Sequence, residues 1–276
     1  MSEQNMVETA LAAGKRLGGA NAVLQSHGGV PYLLVPEGVI PQNLEWALTA
    51  PVRKRAVVAL RDAASFTAYV NAFKDAGSLV FANLPERTFT AVLDYHEAGA
   101  GSPRWGQHRA VLACQLTEDW KRWIAQNKKP LGQVEFAQFL EDNLPNIAAP
   151  AGAVILDIAK TLQAKKAVNF SSSVRLENGE TQFVYEETIA GSAGQKGHLE
   201  VPSSFTLGIE PFEGAGLYAL EARFRYRIAE GGRLQMWFDL VRPEAVIEDA
   251  FKRTREAITS GVAPTTVLAA QAPLIG

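Results

Sequence analysis

The chain has 276 residues, 47% of them hydrophobic and 20% charged, and its 27 lysines and arginines against 29 acids leave a net charge of −2. That length holds one large domain or two modest ones, and the composition is globular. The charge argues against a protein whose main work is coating nucleic acid, because phosphate neutralisation dominates such binding, and it limits that function to a local basic patch.

Cys114 is the single cysteine, so neither an intrachain disulfide nor a cysteine-based metal site can form. In the apolar run "AVLACQL" it reads as a buried structural thiol. The first residues lack a charged start followed by a continuous apolar core. No apolar run reaches the roughly 18–20 residues of a membrane-spanning helix. The expectation is a soluble cytoplasmic protein with no membrane partner.

In chain order, a short helix is expected from Asn5 to Leu17, broken by "GGANAVLQSHGG", with short apolar stretches at "VPYLLVP" and "RAVVALRD". Asp62 can cap the next helix, where Phe66, Tyr69, Val70 and Phe73 share one face and Gly77 is placed to end it. "SLVFANL", "TFTAVLDYHEA" and "QHRAVLACQL" read as strands, the last two joined by the turn-rich "GAGSPRWG". Thr117 can cap "EDWKRWIAQNKK", with acids in its first turn and lysines in its last, and Trp120, Trp123 and Ile124 as its buried stripe. A second helix carries Phe136, Phe139 and Leu140. "LPNIAAPAG" reads as a boundary, and a third helix carries Ile155, Ile158, Ala159 and Leu162.

From Val168 the pattern turns to strands. Asn178-Gly179 predicts a two-residue hairpin loop that sets Leu176 opposite Thr181 and Val174 opposite Phe183. A last helix starts at Pro243, with Ile247, Ala250, Phe251 and Ile258 facing inward and Gly261 at its end. The predicted organisation is an N-terminal helix or arm at 1–29, an α+β region at 30–148, a helix with an antiparallel sheet and terminal helix at 149–260, and an uncharged extended tail at 261–276. The fold class is α+β: an N-terminal mixed layer, central helices, and a C-terminal antiparallel sheet packed by the last helix.

The stretch "EARFRYRI" is the most pointed chemical feature. Strand alternation sends Phe224, Tyr226 and Ile228 one way and Glu221, Arg223, Arg225 and Arg227 the other. A three-residue loop, Glu230-Gly231-Gly232, aligns the apolar faces of this strand and the next. It places Arg223 opposite Asp239, Arg225 opposite Trp237 and Arg227 opposite Gln235. Two readings follow. Arg225 with Trp237 can form a cationic aromatic platform for single-stranded nucleic acid. The same residues can instead form an Arg223–Asp239 ion pair and an Arg225–Trp237 stack on a solvated or protein-contact face, the reading the neighbouring acids favour.

A second cluster, "DYHEAGAGSPRWGQHRA", gathers Asp94, His96, Glu97 and His108 around one hairpin loop. Paired strands could bring His96 and His108 together with a carboxylate as ligands for a divalent metal, although no fixed-geometry metal motif is present. Surface or hydrogen-bonded structural roles are the commoner fate of such histidines. No nucleophile elbow, phosphate-binding loop or dinucleotide fingerprint is legible, so no cofactor is expected.

The segments "FTAYVNAF", "LDYHEAG", "PRWGQHRA", "LTEDWKRW", "FAQFLEDNLPNI", "VRLENGETQFVYEE", "LEVPSSFTLGI", "ARFRYRI" and "LQMWFDLVRPEAVIEDAF" in that order resemble the YfdQ-like family, a domain of unknown function of tailed phages and prophages. The resemblance covers roughly residues 50 to 252. It implies a phage or prophage origin and a bacterial cytoplasm, and it brings no activity or catalytic residue. The leading expectation is therefore a non-enzymatic, homo-oligomeric accessory protein that contacts itself or another phage or host protein. A single-stranded nucleic-acid-binding protein is the alternative, and a metal-dependent enzyme the third reading.

Overall fold

The computed structural model describes residues 24–25, 31–32, 48–97, 102–175, 181–192, 201–229 and 232–274. The chain divides into two compact units, Met1–Lys54 and Arg55–Gly276. In the first, strands β1 (Leu24–Gln25) and β2 (Pro31–Tyr32) pair antiparallel, Leu24 opposite Tyr32. The helix expected at Asn5–Leu17 lies outside the described residues.

The second unit mixes helices with two five-stranded sheets, as an α+β chain should. The first sheet runs in the order β14 (Thr266–Leu268), β4 (Leu79–Asn83), β5 (Thr88–Val92), β6 (His108–Ala113) and β3 (Ala56–Leu60). The three middle strands are antiparallel, while β3 runs parallel to β6 and β14 parallel to β4. A parallel partner needs a crossover, and helix α1 (Ala63–Phe73) supplies it after β3. Asp62 starts that helix as its spacing predicts: its Oδ1 accepts the Ser65 amide at 2.7 Å. Phe66 and Val70 are fully buried, and Phe66 meets Phe89 of the sheet at 6.5 Å between ring centroids.

Helix α1 stops at Phe73, short of Gly77. Asp75 turns the chain instead, its Oδ1 accepting the Gly77 amide at 2.8 Å. Gly77 has a different job from the expected cap. A Cβ there would stand 1.8 Å from the His96 carbonyl oxygen, so only glycine lets the two segments approach.

The long helix α5 (Pro243–Gly261) lies beside α1 against the same sheet. Its expected inner residues Ala250, Phe251 and Ile258 are buried, and Phe251 stacks on Phe89 at 4.5 Å with 14° between ring planes. Lys74 caps its C-terminal end, donating from Nζ to the carbonyls of Val262 and Ala263 at 2.6 and 2.7 Å. The uncharged tail then adds to this chain's own sheet as β14. Ala270 N–H donates to the Ala82 carbonyl and Arg109 donates to the Pro273 carbonyl.

The second sheet has the order β7 (Leu131–Gly132), β13 (Leu234–Leu240), β12 (Tyr218–Ile228), β11 (Ser204–Ile209) and β8 (Ile147–Ala149), with every pair antiparallel. Helices α2 (Glu118–Gln126), α3 (Gln133–Asp142) and α4 (Gly152–Thr161) supply the core against it. Thr117 caps α2 through its hydroxyl, and Trp120 and Trp123 are buried. Two details differ from expectation. Ile124 stays exposed, and α2 ends at Gln126, so Lys128 and Lys129 lie past its last turn. The "LPNIAAPAG" stretch gives a turn of 3₁₀ helix at Leu144–Asn146 and then β8, with Ile147 buried in the second core.

Strands β9 (Gln163–Arg175) and β10 (Thr181–Ser192) form a separate antiparallel hairpin. Its register is one residue off the expected pairing: Thr181 faces Arg175 and Phe183 faces Ser173. The described ladder begins at the Arg175–Thr181 pair, and an irregularity between Val184 and Tyr185 shifts it again. The Asn178-Gly179 turn itself lies outside the described residues.

Trp123 centres the second core and donates from Nε1 to Asn146 Oδ1 at 3.0 Å. Trp123→Phe keeps most of the apolar bulk but leaves that buried oxygen unpaired. The variant should lose about 1–3 kcal/mol in urea denaturation, and an unchanged midpoint would show that the bond contributes nothing.

Candidate functional site

Alternation along β12 is strict. Leu220, Ala222 and Phe224 are buried, while Glu221, Arg223, Arg225 and Arg227 are exposed. On β13, Met236, Phe238 and Leu240 are buried, while Gln235, Trp237 and Asp239 are half-buried on the opposite face. The register is the expected one, with Arg223 opposite Asp239, Arg225 opposite Trp237 and Arg227 opposite Gln235. Ala229 N–H donates to the Arg233 carbonyl at 2.8 Å, and Gly232 takes the left-handed conformation at φ +75° that closes the turn.

The side chains do not pair straight across. Arg225 Nε lies 3.2 Å from Asp239 Oδ2, and the Arg227 guanidinium sits 5.5 Å from the Trp237 ring centroid while its Nε donates to Gln235 Oε1 at 2.9 Å. The expected Arg223–Asp239 and Arg225–Trp237 contacts are each displaced by one pair along the ladder. Strand twist and the length of arginine favour such diagonal neighbours. Arg223 stands opposite Ser204 of β11 and makes no ion pair or side-chain hydrogen bond with another described residue. The Arg225–Asp239 pair is 46% and 30% exposed, so it contributes about 0.2–1 kcal/mol. The Arg–Trp stack adds about as much. A ligand can therefore displace these contacts cheaply.

The loop cluster is arranged differently. Asp94 accepts the backbone amides of His108 and Gln107 at 2.9 and 3.0 Å. His108 is buried, its Nε2 hydrogen-bonded to the Tyr69 hydroxyl at 3.0 Å and its ring edge-on to Tyr69 and Phe73. The ladder sets Leu93 against His108, whereas His96 bridges to Pro103 and packs its ring on Tyr95. The hairpin thus brings Asp94 to the His108 backbone but does not set His96 opposite His108. Glu97 is exposed and bonds through its amide to the Ser102 carbonyl. Among the described residues no group of three or more His, Cys, Asp or Glu side chains is placed to hold a metal ion.

Two charged groups beside this loop were missed in the sequence. Arg109 is 8% exposed and donates to the carbonyls of Gly106 and Pro273, both at 2.6 Å. Burial lowers its pKa, and the Asp94 charge opposes that. Asp75 accepts from Arg104, the Gly77 amide and Ser78. Desolvation pushes its pKa up, but the Arg104 hydrogen bond, the Gly77 amide and the Arg104 charge outweigh it and hold the carboxyl below the ordinary value. The pattern "DAGS" carried a signal for Asp75, since Asp two residues before Gly favours a side-chain-to-backbone turn. For Arg109 nothing local distinguished it from a solvated strand residue.

Cys114 is buried as expected, and desolvation pushes its thiol up to about 11 against the opposing charge of Arg87. No described helix is long and apolar enough to cross a membrane.

The sequence profile of the uncharacterized conserved protein family DUF2303 matches residues 2–270, and the chain belongs to that family. No curated protein and no solved structure matches it.

Two outcomes follow from these environments. A folded-state pKa below the unfolded one means Asp75 adds stability above the unfolded value of about 3.9, lost as pH falls through the folded value. Asp75→Asn should be less stable than the parent at neutral pH in urea denaturation, with the gap closing under acid; a pH-independent gap would contradict the ion-pair account. Cys114 should resist a thiol reagent at mildly alkaline pH in the native protein and react at once in denaturant. Fast native labelling would contradict its burial.

Proposed function

We propose that this member of an uncharacterized family is a phage- or prophage-encoded accessory protein of the bacterial cytoplasm that acts by binding, not by catalysis. The exposed face of β12 and β13 is its contact surface. One observation carries the reading: Arg223, Arg225, Arg227 and Trp237 line the outer face of a sheet whose inner face is packed by helices. An exposed arginine row around a half-buried tryptophan has the composition of a contact surface, since Trp and Arg dominate binding energy. The YfdQ-like order of segments supports the phage origin. The third reading, a metal-dependent enzyme, has less to stand on, because the Asp94 carboxylate is engaged by two backbone amides and His108 by Tyr69.

Self-association is part of the same proposal, and a different feature favours it. Strand β3 is an edge of the first sheet, and its Val57 is 58% exposed. An edge with an apolar side chain is a ready template for pairing with a second copy. The tail extends this chain's own sheet at the opposite edge, as β14 beside β4.

Light scattering across micromolar concentrations should give a mass above the 29.8 kDa of one chain. That mass should persist in Arg225→Glu and Trp237→Ala. A single monomer peak would remove self-association. Dissociation of these variants alone would instead make the arginine face the self-contact.

A further inference from the structure

We infer that the partner of the β12–β13 face is a single-stranded nucleic acid, its phosphates met by Arg223, Arg225 and Arg227 and a base stacked on Trp237. This rests on the reading that the face is a contact surface. Four features on that face carry it.

The first is spacing. Arg223, Arg225 and Arg227 are alternate residues of one strand, so their Cα atoms repeat roughly every 7 Å. That is a row suited to a polyanion running along β12, and Ser204 of β11 lies beside Arg223 at one end. The second is the ring. Trp237 is half-buried, so its edge is fixed by the sheet while part of it stays accessible, and Arg227 already stacks on it. A base can share or replace that stack, because every base presents a π-face. Stacking requires an unpaired base, which selects single strands over duplex.

The third is charge balance. Asp239 engages Arg225, while Arg223 and Arg227 make no ion pair with described residues. A phosphate has two cations available at once and gains the third by displacing the half-buried Asp239 carboxylate. The fourth is what the face disfavours. Laying this surface on the same surface of a second copy sets arginine rows against each other, a like-charge juxtaposition that costs binding. An acidic peptide would satisfy the arginines but leave the tryptophan ring without a purpose-built partner.

The chain's net charge of −2 and the presence of Glu221 on the face mean that binding is modest and salt-sensitive. They also generate the sharpest expectation: removing an acid should strengthen binding. A merely structural role for the face would not do that.

The test is fluorescence anisotropy of the full chain with labelled oligothymidine, oligouridine and a duplex of matched length, at low and moderate salt. Both single strands should bind better than the duplex, and a preference between them identifies DNA or RNA as the source. Trp237→Ala should weaken binding roughly tenfold, with Trp237→Phe restoring most of it. Arg223→Ala should lower the salt slope by about 0.7. Asp239→Asn should tighten binding by freeing Arg225. Circular dichroism identifies any variant that fails to fold, and exposed Arg223 keeps the test decisive if Trp237 variants do.

Three results would overturn the inference: no oligonucleotide binding, equal binding by all variants, or preferential binding of duplex. Labelled polyglutamate that binds and is lost in the same variants would keep the contact surface and replace its partner with an acidic protein. If neither polymer binds and no variant alters the mass in solution, the contact surface falls as well.

Discussion

The second sheet can make only one of its faces dry, and the aromatic cluster around Trp123 decides which. Trp123 packs against Phe139, Phe205 and Phe238 at centroid distances of 5.1, 6.1 and 5.0 Å. Phe136 of α3 meets Phe224 of β12 at 5.7 Å. Once Phe224 and Phe238 point at the helices, strand geometry sends Arg225 and Trp237 the other way. A one-residue slip would bury the arginines and expose the phenylalanines, so the core itself holds the outward row in place. The outward arginine row is a consequence of the packing behind it.

The same unit ties its two sheets together at a few points. Leu116 and Ile247 pack on both cores. Thr117, which caps α2, also donates from its hydroxyl to the Glu210 carbonyl at 2.6 Å, and Leu116 bridges to Phe212. Arg242, in the left-handed region at φ 50°, turns β13 into α5, which then stacks Phe251 on the first sheet. Core substitutions in one sheet will therefore be felt in the other. The arginine row has no such duty. Its ion pair and stack lie on the solvent side of the sheet, partly open to water, so its chemistry can be varied while the fold is kept.

Much of this was legible in the sequence, for physical reasons that differ by element. The caps at Asp62 and Thr117 and the β12–β13 register follow from local rules, namely a side-chain oxygen before a helix and the parity of a hairpin loop. The diagonal pairing of Arg225 with Asp239 was hidden, because twist and side-chain reach, not register, choose between neighbours on a ladder. Gly77 looked like a helix end but serves a close approach to His96, a contact between distant segments that no local pattern encodes. Buried Arg109 depends on the Pro273 carbonyl, supplied by a tail whose composition reads only as extended and uncharged and which adds a strand to the edge of the first sheet. The hairpin at β9 and β10 was recognised as a hairpin, but its register depended on loop and bulge geometry that dipeptide signals do not determine.

The most direct measurement is ultraviolet crosslinking of bound oligothymidine to the full chain, followed by peptide mapping. The account predicts crosslinks concentrated in the β12–β13 segment and centred on Trp237, and their loss when Asp or Glu replaces Arg225. Crosslinks that map elsewhere on the chain, with this segment unlabelled, would contradict it.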